Sequence, residues 1–213
     1  MTFLDFVQGP LWTVAGWVFV LGVLWRIIGI LRLPGRKDLS AARESGIGGG
    51  IRANIRHFFP AGGFGGRTAY HVVAGYMFHV GLFVLVLFGA PHVAFIADKF
   101  GVAWTPLPGW AFVVVSEVAF AGLIMLYLRR LLDPVMRLIS DADDHIGSIL
   151  VFLVMLTGCM ALAESFDGLR ALHMLTVDLL LLYFPFSRLM HTFMFAFSRS
   201  YTGAMYGRRG GAL

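Results

Sequence analysis

The chain has 213 residues, 58% of them apolar and only 14% charged, with 20 Phe, 10 Met and a formal net charge of +5. So much apolar surface excludes an ordinary soluble domain and points to a protein solvated by lipid. The single cysteine, Cys159, excludes a disulfide within the chain and an iron–sulfur cluster held by this chain's own thiolates.

Five runs, at 11–31, 68–90, 110–131, 145–163 and 171–197, are long enough as helices to cross a hydrocarbon layer of about 30 Å. Alternating segments of the barrel kind are absent, so helices must satisfy the backbone. The first run counts as a span, because no basic residue precedes it and no small-residue cleavage site follows it.

The connection at 32–67 is basic and glycine-rich. Its "GGFGGRT" superficially resembles a phosphate-binding loop, but the first glycine is misplaced and Arg67 stands where lysine is needed. This loop reads instead as a docking surface, or as a flexible tether touching acidic lipid headgroups. His57 within it reads as solvated.

Arginine and lysine are unevenly shared among the connections. Arg32, Arg36, Lys37, Arg43, Arg52, Arg56 and Arg67 follow the first span, Arg129, Arg130 and Arg137 the third, and Arg199, Arg208 and Arg209 the fifth; the other side has Lys99 and Arg170. Basic loops stay in the cytoplasm, which places the N-terminus outside and the C-terminus inside. The same asymmetry accounts for the excess positive charge without nucleic acid. The expected fold is all-α, a single integral membrane domain over 1–213 with five transmembrane helices.

Of seven histidines, His71, His79 and His92 belong to the second span or its ends, and His173 and His191 to the fifth. A histidine on an apolar helix is costly unless its nitrogens have a proton path, a metal or a neighbour. On one unbroken helix the 18 residues from His173 to His191 make five whole turns and roughly 27 Å of rise. Both rings would then leave the same side near opposite membrane faces, an arrangement suited to two iron-bearing groups, one per leaflet. Span two must supply partners; Gly81 there admits a flat macrocycle or a neighbouring helix, and Pro91 should disturb the helix beside His92. "SDADDHIG" at 140–147 reads as a capped helix start, with His145 structural, rather than a metal site.

The stretch "LLYFPFSRLMH" at 181–191, "FHVG" at 78–81 and "AGWVFVLG" at 15–22 carry a resemblance over nearly the whole chain. The sequence resembles the gamma subunit of respiratory nitrate reductase, a five-helix dihaem cytochrome b. That resemblance implies two haem b groups in a bacterial-type cytoplasmic membrane, electrons exchanged with quinone, and a cytoplasmic iron–sulfur partner subunit. Residue by residue, it implies that His79 and His191 hold the cytoplasmic-side haem and that His173 holds the outer one.

The remaining outer ligand departs from the family pattern. A Gly-His is expected about ten residues after the first ligand, whereas Gly89 is followed by His92, thirteen residues after His79. A bulge at 89–91 would return His92 to the same face. The other readings pair His71 with His79, or keep a single haem with His92 capping its helix. Arg188 stands where a haem propionate needs a cation, or snorkels to the interface, and Pro185 bends the helix there. Glu117 and Asp178 are acids at membrane depth, Asp178 being a candidate for taking quinol protons or for an interhelical hydrogen bond. Lys99 is a further candidate for meeting a quinone carbonyl. A single-haem membrane anchor and a histidine-dependent transporter remain rival functions.

Overall fold

The computed structural model describes residues 1–34, 39, 41–59, 65–163 and 166–211, and no β-strand occurs among them. Arg36 and Lys37 of the basic loop, and residues 62–64 of its glycine-rich stretch, lie outside the described residues. Among the described residues, five helices are long and apolar enough to cross a membrane: α1 (Phe3–Leu31), α3 (Gly65–Phe88, apolar from Thr68), α5 (Gly109–Leu132), α7 (Ala142–Ala163) and α8 (Asp167–Tyr183, its apolar run continuing to Phe186). Four shorter or terminal helices join them: α2 (Gly46–Arg56), α4 (Ala90–Phe100), α6 (Pro134–Ile139) and α9 (His191–Arg208). The chain divides into two compact units, Met1–Ala15 with Ala69–Leu180, and Gly16–Thr68 with Leu181–Leu213.

In the first unit, α1 opens on a reciprocal cap. Thr2 Oγ1 accepts from Asp5 N–H while the Asp5 carboxylate accepts from Thr2 N–H, satisfying two of the donors a helix start leaves over. A π turn at Val7–Leu11 accommodates Pro10, which has no N–H for the ladder. Helices α3 and α5 meet through small residues: a Cβ on Gly81 would come within 2.7 Å of Ala119 Cβ, and one on Gly122 within 2.8 Å of Ala74 O. Of the two roles open to Gly81, the structure shows the approach of a neighbouring helix, as is usual in membranes. At the head of α7, Asp141 Oδ1 accepts from the backbone N–H groups of Asp143 and Asp144, and Arg130 pairs with Asp144 at 3.1 Å. The aspartates of 140–147 therefore cap a helix.

The second unit changes two expectations. The fifth apolar run is not one helix over 171–197. It ends as α8 at Tyr183 and passes through two 3₁₀ turns, Phe184–Phe186 and Arg188–Met190, before α9 starts at His191. Pro185 cannot donate to the helical ladder, and Ser187 between the turns is extended at φ −110°, ψ 173°. Ser187 stabilises the break by donating its hydroxyl to Phe184 O at 2.9 Å and accepting from Leu189 N–H at 3.2 Å. His173 and His191 therefore stand on different helices, and the five-turn register does not apply.

The basic connection, read as a surface or flexible tether, contains α2. Ser45 caps it, accepting from Gly48 N–H, and the glycines of α2 form a face that lies directly on α9. Close packing overrides the low helix propensity of glycine here. His57 is exposed, as expected, and also closes α2 with Nδ1 2.7 Å from Ala53 O.

Candidate functional site

The first site is built at a helix break. α3 stops at Phe88, Gly89 takes an extended conformation (φ −61°, ψ 130°), and α4 restarts with Pro91 in its first turn. This is a full interruption rather than the bulge read from the sequence, and it has the same effect of resetting the phase of His92. Three carbonyls at the break find donors: Leu85 O accepts from Gly89 N–H at 2.9 Å, Leu87 O from Trp104 Nε1 at 2.7 Å, and Phe88 O from Leu107 N–H at 2.8 Å. Helix-end carbonyls left unpaired would be costly in lipid. The segment between α4 and α5 thus straps the break closed.

His92 uses that break. Its Nδ1 lies 2.9 Å from Leu85 O, seven residues back, a reach possible only because the helix has been interrupted. A carbonyl cannot donate, so Nδ1 carries the proton and Nε2 keeps the lone pair. The ring faces that of His173 on α8, with centroids 6.1 Å apart and planes 33° apart.

His173 is held from α7. Its Nδ1 is 3.3 Å from Thr157 Oγ1. The single proton of the Thr157 hydroxyl has the carbonyl of Leu153 at 2.8 Å and Thr176 Oγ1 at 2.9 Å as acceptors, so its oxygen is available to accept from His173 Nδ1. Thr176 in turn donates to His173 O at 2.8 Å. Gly158 makes the space, since a Cβ there would lie 3.0 Å from His173 Cε1.

Two imidazoles on opposite sides of one metal, each with a metal–nitrogen distance of about 2.0 Å, have ring centroids about 6.3 Å apart. The centroid separation of His92 and His173 is compatible with one shared metal, and each ring has its Nδ1 engaged, as ligating histidines commonly do.

His79 and His191 show the same local preparation. His79 Nδ1 is 2.8 Å from Gly75 O, and His191 Nδ1 is 2.8 Å from Arg188 O. His79 belongs to the first unit and His191 to the second. Arg188 opens the 3₁₀ turn before His191, is exposed, and sets its carbonyl against the His191 ring. His145 lies with Nδ1 3.4 Å from the Tyr127 hydroxyl.

Asp178, on α8 between the level of His173 and the break, is completely buried, and neither carboxylate oxygen has a hydrogen-bond partner among the described residues. Glu117 is exposed on α5. Lys99 closes α4, paired with Asp98 at 3.2 Å and 5.8 Å from the Phe95 ring centre. Sequence reasoning missed Thr157, Thr176 and Gly158. Their signal was available as a Thr-Gly pair on one helix and a threonine three residues after His173, but the residue types are common in membrane helices for packing alone.

No protein-family profile matches this chain, and no solved structure does. A curated protein of Nitratidesulfovibrio vulgaris, named only "Protein", is 29% identical to it over 215 residues, spanning 97% of this chain and 95% of the relative. The match is long enough to include the positions of all five apolar helices of this chain.

Proposed function

We propose that this chain is a membrane cytochrome b subunit of the kind represented by the nitrate reductase gamma subunit, carrying electrons between quinone and a cytoplasmic iron–sulfur partner through two haem b groups. In this reading the N-terminus is outside, the C-terminus is cytoplasmic, and the membrane is a bacterial-type cytoplasmic membrane. The observation that carries it is the facing pair His92 and His173, set at the spacing of two ligands to one metal, each with Nδ1 engaged.

When bound, each haem would supply one-electron transfer, chemistry that no side chain of this chain offers. The residues supply the rest. His92 and His173 would hold the outer haem, with Leu85 O and Thr157 Oγ1 fixing the tautomers. His79 and His191 would hold the cytoplasmic-side haem, steadied by Gly75 O and Arg188 O, and the Arg188 guanidinium would meet a propionate.

Asp178 would take a proton released on quinol oxidation. A carboxyl at membrane depth with no partner costs ~2.5–3.5 kcal/mol, and such groups are kept for proton paths. Electron flow from quinol toward the cytoplasm with protons leaving outward would contribute to the membrane potential.

The test is a reduced-minus-oxidised spectrum of the purified chain and two variants. His92→Ala and His191→Ala are each expected to lose one b-type haem and keep the other, and the double variant to lose both. Retention of both haems in either single variant overturns the assignment.

A further inference from the structure

Helix α2 has two unlike faces. One is made of small residues and lies on α9: Gly49 packs on Gly203 and Gly207, a Cβ on Gly50 would come within 3.0 Å of Ser200 O, and Asn54 Nδ2 donates to Ser200 Oγ at 2.8 Å. The other carries Ile47, Ile51 and Ile55, which are 78%, 58% and 60% exposed. Spaced by four residues, these isoleucines fall within an arc of about 80° on a helix. Arg52 and Arg56 lie about 60° and 100° beyond one edge of that arc, and both are exposed.

The pair is joined to membrane-depth structure. Phe193, in the first turn of α9, lies 6.0 Å from the ring of Phe19 and 5.8 Å from that of Phe184. Beyond Phe19, α1 continues through twelve more residues to Leu31, about 18 Å of helix in which Arg26 is the one charged residue. α9 therefore starts at hydrocarbon depth, and α2 is packed along it. Neither α2 nor α9 contains an aspartate or glutamate; among their own charges there are only Arg52, Arg56, Arg199 and Arg208. Glu44, before α2, is 4.0 Å from Arg52.

An exposed isoleucine stripe flanked on one side by arginines, on a helix without acids that packs along α9, matches the boundary between acyl chains and anionic headgroups. We propose that α2 is an interfacial membrane helix. Ile47, Ile51 and Ile55 enter the acyl boundary of the leaflet into which α9 emerges, and Arg52 and Arg56 engage the phosphates of anionic phospholipid. An acidic soluble protein offers the arginines a partner as well, but it leaves unexplained why the helix is packed along a segment that starts inside the lipid.

The experiment uses the full chain carrying Cys159→Ser, so that an introduced cysteine is unique, in nanodiscs of phosphatidylcholine with phosphatidylglycerol. An environment-sensitive fluorophore on Ile51→Cys is compared with one on Glu44→Cys, and Ile47→Cys repeats the measurement on an independent variant. Quenching by nitroxide-bearing lipid is expected to be at least about twofold stronger at 51 and 47 than at 44, with the reverse order for aqueous iodide. Replacing phosphatidylglycerol by phosphatidylcholine, or introducing Arg52→Gln with Arg56→Gln, is expected to diminish the lipid quenching at 51. Equal access of iodide to 51 and 44 overturns the proposal. So does a label at 51 that is shielded only in preparations retaining soluble subunits, which would make this face a protein dock. None of these readouts depends on haem.

Discussion

The rings of His92 and His173 face each other with centroids 6.1 Å apart, yet the first belongs to a short helix that exists only because its parent helix is broken at Gly89. The break costs the backbone little, since Trp104, Leu107 and His92 itself take the carbonyls it releases. In exchange an imidazole is delivered to a position that an uninterrupted α3 could not offer it.

His173→Ala is expected to remove the same haem as His92→Ala, leaving difference spectra of the two variants superimposable. The lost component should include the whole signal of one haem rather than part of both. Low-temperature difference spectroscopy of the two purified variants makes the comparison.

Thr157→Val keeps the shape of the side chain and deletes the oxygen next to His173 Nδ1. Loss of such an outer partner typically lowers affinity for the bound group about 10–100-fold. Retention of the haem held by His173 should fall during detergent washing while the other haem is unaffected. A haem-retention curve resolved by the two spectral components is the measurement, and equal loss of both would contradict the assigned contact.

Asp178→Asn removes the buried acid without changing its size. If Asp178 receives a quinol proton, haem content stays at the wild-type value while haem reduction by a quinol analogue slows by about 10²-fold or more. Stopped-flow reduction by quinol, compared with reduction by dithionite, separates the proton step from haem binding. A rate equal to wild type assigns Asp178 to packing instead.

Gly203→Leu places a branched side chain where α9 touches Ala53 and the backbone of Gly49. Overpacking of this kind costs about 1–3 kcal/mol, more where backbone must move. Thermal unfolding in detergent should shift downward, and protease should gain access to α2 before the spans. The haem spectrum at low temperature is expected to persist, because neither contacting helix segment carries a proposed ligand other than His191 at the far end of α9.

Much of the architecture could be read directly from the residues. The second, third and fourth spans lie within a few positions of their expected bounds, because long apolar runs leave a helix little choice in lipid, whereas the first begins eight residues earlier than expected, at Phe3. The break after Phe88 was legible in Pro91 and Gly89. The interruption at Phe184–Met190 was not, because Phe-Pro-Phe-Ser-Arg remains apolar enough to read as a kinked span, and only the extended Ser187 ends the helix. α2 was hidden for the opposite reason. Its glycines argue for a flexible loop until Gly203 and Gly207, about 150 residues away, supply the surface that makes close packing favourable. The histidines were legible as a group, whereas their partners Thr157 and Leu85 O depend on tertiary placement that no spacing encodes.

The most direct measurement is the ratio of b-type haem to protein in the purified chain expressed with ample haem supply. The account requires two haems per chain, each removable by one pair of histidine variants. A chain that folds, elutes as a single species and shows no visible absorbance would contradict it.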